Sequence, residues 1–170
     1  MAVRSISRFS ASSRLVKLAS VRKGLVLATS GELLACGDLQ HSAAVSHPVA
    51  LCLTGPAAWG VLWSGETAAV GVEIATDDIY VEVSGPSYIG PPPAGSLAVT
   101  DLGHFVASNP ASTNVVKGIA LVSGHVVRDF LGSAYWYPTW SIFGYRDGTL
   151  VLEEHFDITT PPVEDKPPAP

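Results

Sequence analysis

The side chains best suited to chemistry in this chain are five histidines, two cysteines and two pairs of adjacent acids. Their spacing argues against a shared centre. His41 and His47 lie six apart in a polar stretch, whereas His104, His125 and His155 stand singly. A zinc centre needs HxH, HExxH or H…CxxC spacing, because one short element must offer two donors to one ion. None is present, so the five are read as structural or surface histidines. Cys36 and Cys52, sixteen residues apart, match neither a zinc pattern nor CxxC. They are read as buried free thiols that would pair only if adjacent strands brought them together. Serines precede glycine at Ser30, Ser64, Ser84 and Ser123, without the GxSxG context that exposes a nucleophile on a strained turn.

Asp77-Asp78 and Glu153-Glu154 would hold a hard cation only if subunits brought further oxygens to them. They are read instead as a solvated turn and an outward glutamate. Glu154 is different from its neighbour, since period-two counting places it on the face of Leu150, Leu152, Phe156 and Ile158. It therefore requires a partner, a bulge or an interface. Neither GxGxxG nor GxxxxGKS occurs. The reading expects no enzyme, no metal and no cofactor.

Charge is the stronger signal. Residues 1–23 hold Arg4, Arg8, Arg14, Lys17, Arg22 and Lys23 with no acid, while residues 24–170 hold four basic against fifteen acidic groups. A basic arm of +6 thus precedes a domain of −11, and the two are expected to face different surroundings. The arm's chemistry suits neutralising phosphate, which needs only charge and reach. Its Arg- and Ser-rich, acid-free composition also matches a mitochondrial leader. No run of eighteen apolar residues occurs, so no membrane span is expected, and a secretory leader fits poorly.

The elements that must position these groups read as strands. At 170 residues the chain is long enough for one core, with roughly 70% of its unfolded surface buried. The segment "GLVLATSGELLACGD" sets a Ser30-Gly31 turn between apolar runs. Val49, Leu51 and Leu53 alternate with Ala50, Cys52 and Thr54; Val70, Val72 and Ile74 share a face, as do Ile79, Val81 and Val83. Sixteen Gly and thirteen Pro punctuate the chain against helices. The expectation is an all-β, antiparallel sandwich of eight to ten strands, of jelly-roll type, over residues 24–160, after a flexible basic N-terminal arm at 1–23 and before a Pro-rich tail at 161–170. The proline-rich stretch 84–96 is expected to cross between sheets and, with the aromatic segment, to make subunit contacts.

Tyr135, Trp136, Tyr137, Trp140, Phe143 and Tyr145 crowd into eleven residues, with only Arg146 as a nearby cation. That disfavours a nucleic-acid groove and favours a core or subunit interface, and Tyr135, Trp136, Tyr137 and Trp140 are taken as interface residues. Only 15% of residues are charged, against about 25% in typical soluble domains. This shortage points to surface buried in an assembly.

A basic arm, an acidic β-domain and a closing strand "DGTLVLEEHFDITTPP" together resemble the coat proteins of small icosahedral RNA viruses. The resemblance covers the layout of the whole chain and specific letters over 147–162. It implies a virion structural protein, made in the host cytoplasm, that self-assembles into a closed shell and contacts packaged nucleic acid through the arm. The alternatives are an organellar β-domain with 1–23 as import signal, and a phage head-decoration or tail component.

Overall fold

A computed structural model describes residues 14–113, 115–129 and 134–158. Arg4, Arg8, most of the expected arm and the 161–170 tail lie outside the described residues. The chain forms β1 (Arg14–Lys17), β2 (Gly24–Ala28), β3 (Leu33–Ser42), β4 (Val45–Cys52), β5 (Val61–Leu62), β6 (Val70–Glu73), β7 (Asp78–Ser84) and β8 (Tyr88–Gly90). It continues through β9 (Leu97–Thr100), β10 (Gly103–Ala107), β11 (Gly118–Ala120), β12 (Val126–Val127), β13 (Ala134–Tyr137), β14 (Thr139–Arg146) and β15 (Thr149–Asp157). The protein is all-β with antiparallel ladders. Among the described residues there are fifteen strands against the expected eight to ten, because glycines and prolines cut long runs into short pieces.

Among the described residues these strands form three sheets. The first runs β1-β6-β2-β3-β4-β5, the second β12-β11-β10-β9-β13-β8, and the third β15-β14-β7. The last two share one bent ribbon: β7 and β8 pair with β14 and β13 in turn, from Asp78 opposite Tyr145 to Gly90 opposite Ala134. Pro138 separates β13 from β14, and a residue without an N–H interrupts the ladder there. The stretch 84–96, expected as a crossing between sheets, contains β8 and so forms an edge of the second sheet.

The principal core gathers Leu25, Leu33, Leu51, Leu97, Val106, Ile119, Trp140, Ile142 and Phe156 from all three sheets. Trp140 stacks on Phe156 with ring centroids 4.2 Å apart and donates its indole N–H to the Gly95 carbonyl at 2.9 Å. Gly95 has φ +84°, and a Cβ there would run into Trp59 and Ile158, so the bond depends on glycine at that turn.

The alternation read in 49–53 is real and has a consequence. Val49, Leu51 and Leu53 enter the principal core, while Ala50 and Cys52 enter a second cluster on the opposite face of the first sheet. That second cluster also holds Val16, Leu18, Val21, Val26, Leu34 and Cys36. The first sheet is therefore covered on both faces.

Candidate assembly surface and basic segment

Residues 14–23 correct the expected arm boundary. Arg14–Lys17 pair in antiparallel register with Val70–Glu73, and Leu18–Ser20 form one tight turn over the outer face of the first sheet. The apolar residues interspersed among the cations decide this. Val16, Leu18 and Val21 bury against Val26, Leu34 and Cys36, and such burial stabilises by roughly 1.5–3 kcal/mol per large side chain. Ordered structure thus begins by Arg14.

The cations of this segment divide. Arg22 Nη1 lies 2.5 Å from Asp38 Oδ1, and Gln40 donates to the other oxygen of Asp38 at 2.9 Å. Arg22 is accordingly answered by the chain's own acid, in a half-exposed pair beside an open groove of about 410 Å³ lined by Ala19, His47, Pro48 and Trp63. Arg14, Lys17 and Lys23 are exposed, and among the described residues no carboxylate forms an ion pair with them.

The four aromatic interface residues also divide. Even-numbered residues from Ala134 to Gly144 are all buried. Trp140 is a correction: it is 0% exposed and belongs to the principal core rather than to a surface. Trp136 is buried against Ala98 and Ala134, with Tyr88 stacked on it at 4.7 Å between centroids. Tyr137 is half-buried, and Tyr135 is 55% exposed.

Tyr135 does not stand alone. It lies opposite Ile89 on β8 and opposite Val99 on β9, and Val99 lies opposite His104 on β10. Directly opposed residues share a face, so Ile89, Tyr135, Val99 and His104 form one row across four strands. Counting by twos from Leu97 and Val106 places the row on the core-facing side of the sheet, beyond the rim of the core. Ile89 is 65% exposed, and at the β9–β10 turn Leu102 is 71% exposed. At the His104 end the row meets an open groove of about 280 Å³ lined by Ile79, Val81, Leu121 and Val122. Ile89 and Tyr135 are neighbouring exposed apolar side chains, joined across half-buried Val99 to exposed His104, and grouped apolar surface marks an interaction surface where scattered residues are ordinary.

One polar constellation escaped the sequence reading. On the solvent face of the third sheet, Ser141 Oγ lies 2.6 Å from His155 Nδ1, and His155 Nε2 lies 2.9 Å from Glu153 Oε1. The order of groups is that of a nucleophile, a base and an orienting acid. The setting is not. Ser141 is on the central strand of its sheet, so nearby β14 amides are committed to ladders with β7 and β15 and none is free to hold an oxyanion. Only the cross-strand register Ser141–His155 brings these groups together, and no local motif encodes it.

Cys36 and Cys52 are free and buried as read. Burial, with Glu73 nearby, pushes the Cys36 thiol up to about 12; burial, with Glu32 nearby, raises Cys52. Glu154 sits where the sequence placed it, on the core face of β15, at 7% exposure. Burial raises its pKa, with His155 opposing and Glu153 adding to the rise. Among the described residues no group of three or more His, Cys, Asp or Glu is placed to hold a metal ion. No described helix is long and apolar enough to cross a membrane. Comparison with known protein families, with curated proteins and with solved structures finds no match to this chain.

Proposed function

We propose that this chain is a non-enzymatic, self-assembling structural subunit of a virion-type shell, a sandwich of jelly-roll kind joined to its copies edge to edge. The observation that carries the reading is the row Ile89–Tyr135–Val99–His104, in which Ile89 and Tyr135 are exposed and Val99 is half-buried, continued by the groove at Val122. Apolar surface of this kind is stabilised by removal from water at about 25 cal/mol per Å², and a chain with so few charges has little else to cover it. Both segments that the sequence assigned to subunit contacts, the aromatic run and the proline-rich stretch, supply members of this row.

Nucleic-acid contact is the second part of the reading, and exposed Arg14, Lys17 and Lys23 favour it. Their contacts would be to phosphate, without sequence preference.

Sedimentation of the purified full-length protein over a concentration series tests the assembly. Association is expected for the wild type. Ile89→Asp/Tyr135→Asp is expected to sediment as a monomer with an unchanged circular dichroism spectrum, since both side chains are surface-exposed. A wild type that stays monomeric at high concentration, with and without RNA, overturns the reading.

A further inference from the structure

β15 ends its sheet: β14 pairs with one side of it, and no described strand pairs with the other. The Ile158 amide donates to the Pro138 carbonyl, which fixes the alternation along the strand. Residues 152, 154, 156 and 158 spend their backbone groups on β14, so Glu153, His155 and Asp157 turn theirs outward. The close side-chain pairs Ser141–His155 and Thr139–Asp157 agree, since opposed side chains approach most nearly at positions without the ladder bonds. Nine residues long and free of Pro, Gly and Lys, this edge lacks several of the usual devices that prevent pairing.

Its charge pattern names what would pair with it. Glu153 and Asp157 are four apart, hence on one face of the strand at a separation of about 13 Å. Arg4 and Arg8 have the same spacing within "VRSISRF", residues 3–9. Laid antiparallel along β15, that segment sets Arg4 against Asp157, Ile6 against His155 and Arg8 against Glu153. The same register sets Ser7 against Glu154, which is 7% exposed, and Phe9 against Leu152. A slip of two residues sets neither arginine opposite an acid, and a slip of one moves both arginines to the core face.

We propose that residues 3–9 of one copy add as an antiparallel strand to the free β15 edge of a second copy. This rests on the self-assembly reading above and gives it a second contact. Arg4 and Arg8 then answer protein carboxylates, which leaves phosphate to Arg14, Lys17 and Lys23.

The test uses full-length protein in sedimentation equilibrium, with folding of each variant checked by circular dichroism. Arg4→Glu/Arg8→Glu and Glu153→Arg/Asp157→Arg are each expected to weaken association at least tenfold. An equimolar mixture of the two variants is expected to recover it, because the acidic segment of one meets the basic edge of the other. Amide exchange of the wild type supplies a readout independent of the variants: the His155 amide should become protected only at concentrations where the protein associates. Variants that associate like the wild type, a mixture that stays apart, or a His155 amide that exchanges freely in the associated protein would each overturn the proposal. Recovery confined to a single chain carrying all four substitutions also overturns it, by placing the pairing within one copy. If the wild type associates regardless of these charges, the assembly reading stands and the strand addition alone falls.

Discussion

Glu154 carries a measurable pH dependence in a single carboxyl. Burial on the core face of β15 favours its neutral form, so its folded pKa lies above its unfolded one. Between those two values the folded state holds more protons, and stability falls as pH rises through that window. The stability associated with the protonated form is fully present below the ordinary glutamate range, near about 4.3. Glu154→Gln is therefore expected to raise the urea midpoint at pH 7, and the difference from wild type should shrink as pH is lowered toward 4. A midpoint that is lower for the variant at pH 7 would instead indicate a donor held by the carboxylate. The position was legible in the sequence, because period two alone places Glu154 with Leu152 and Phe156. The aromatic run was legible too, had it been split by parity. Tyr135 and Trp136 must point opposite ways on a strand, and grouping them with Trp140 merged a surface residue with core residues. The Ser141–His155–Glu153 chain was beyond sequence reading, since its geometry depends on a register between two strands.

At the scale of elements, β1 and the turn after it belong to the folded unit. Charge suggested a boundary at residue 23, whereas burial of Val16, Leu18 and Val21 places ordered structure from Arg14. Net charge is a poor boundary marker here: an edge strand can keep cations at its exposed positions while one residue in the middle points inward. Leu18→Ala should cost about 2–4 kcal/mol in denaturant unfolding, in line with core truncations elsewhere. Removal of residues 2–23 should lower the unfolding midpoint sharply relative to removal of residues 2–13, which spares β1 and the turn after it. Equal midpoints for the two truncations would show that the turn over the first sheet contributes nothing. Strands were readable at β2, β3, β4, β6 and β7, where apolar runs are bounded by turn residues, whereas the two residues of β5 carry no such signal. The partition into three sheets was not readable. It follows from Pro138 and from the sharing of one ribbon between two sheets, and both are long-range facts.

For the whole molecule, the separation of charge survives in reduced form. Arg22 is neutralised locally by Asp38, a half-exposed pair of the kind that contributes little to stability. Three exposed cations remain in the described part of the basic segment, on a protein that is otherwise acidic. Binding to single-stranded RNA should accordingly weaken as salt rises, and replacing Arg14, Lys17 and Lys23 together by alanine should lower the log–log salt slope by about two. Filter binding across a salt series measures this, and an unchanged slope would remove these residues from the nucleic-acid contact.

Leu18 and Val21 lie over Cys36 and Cys52, and this turns the two thiols into a clock for one particular movement. An alkylating reagent meets neither sulfur until the flap above them lifts. The pace of labelling in native buffer would therefore time that local lifting, and its excess over the rate of complete unraveling would measure how loosely the first turn of the chain is fastened to the rest.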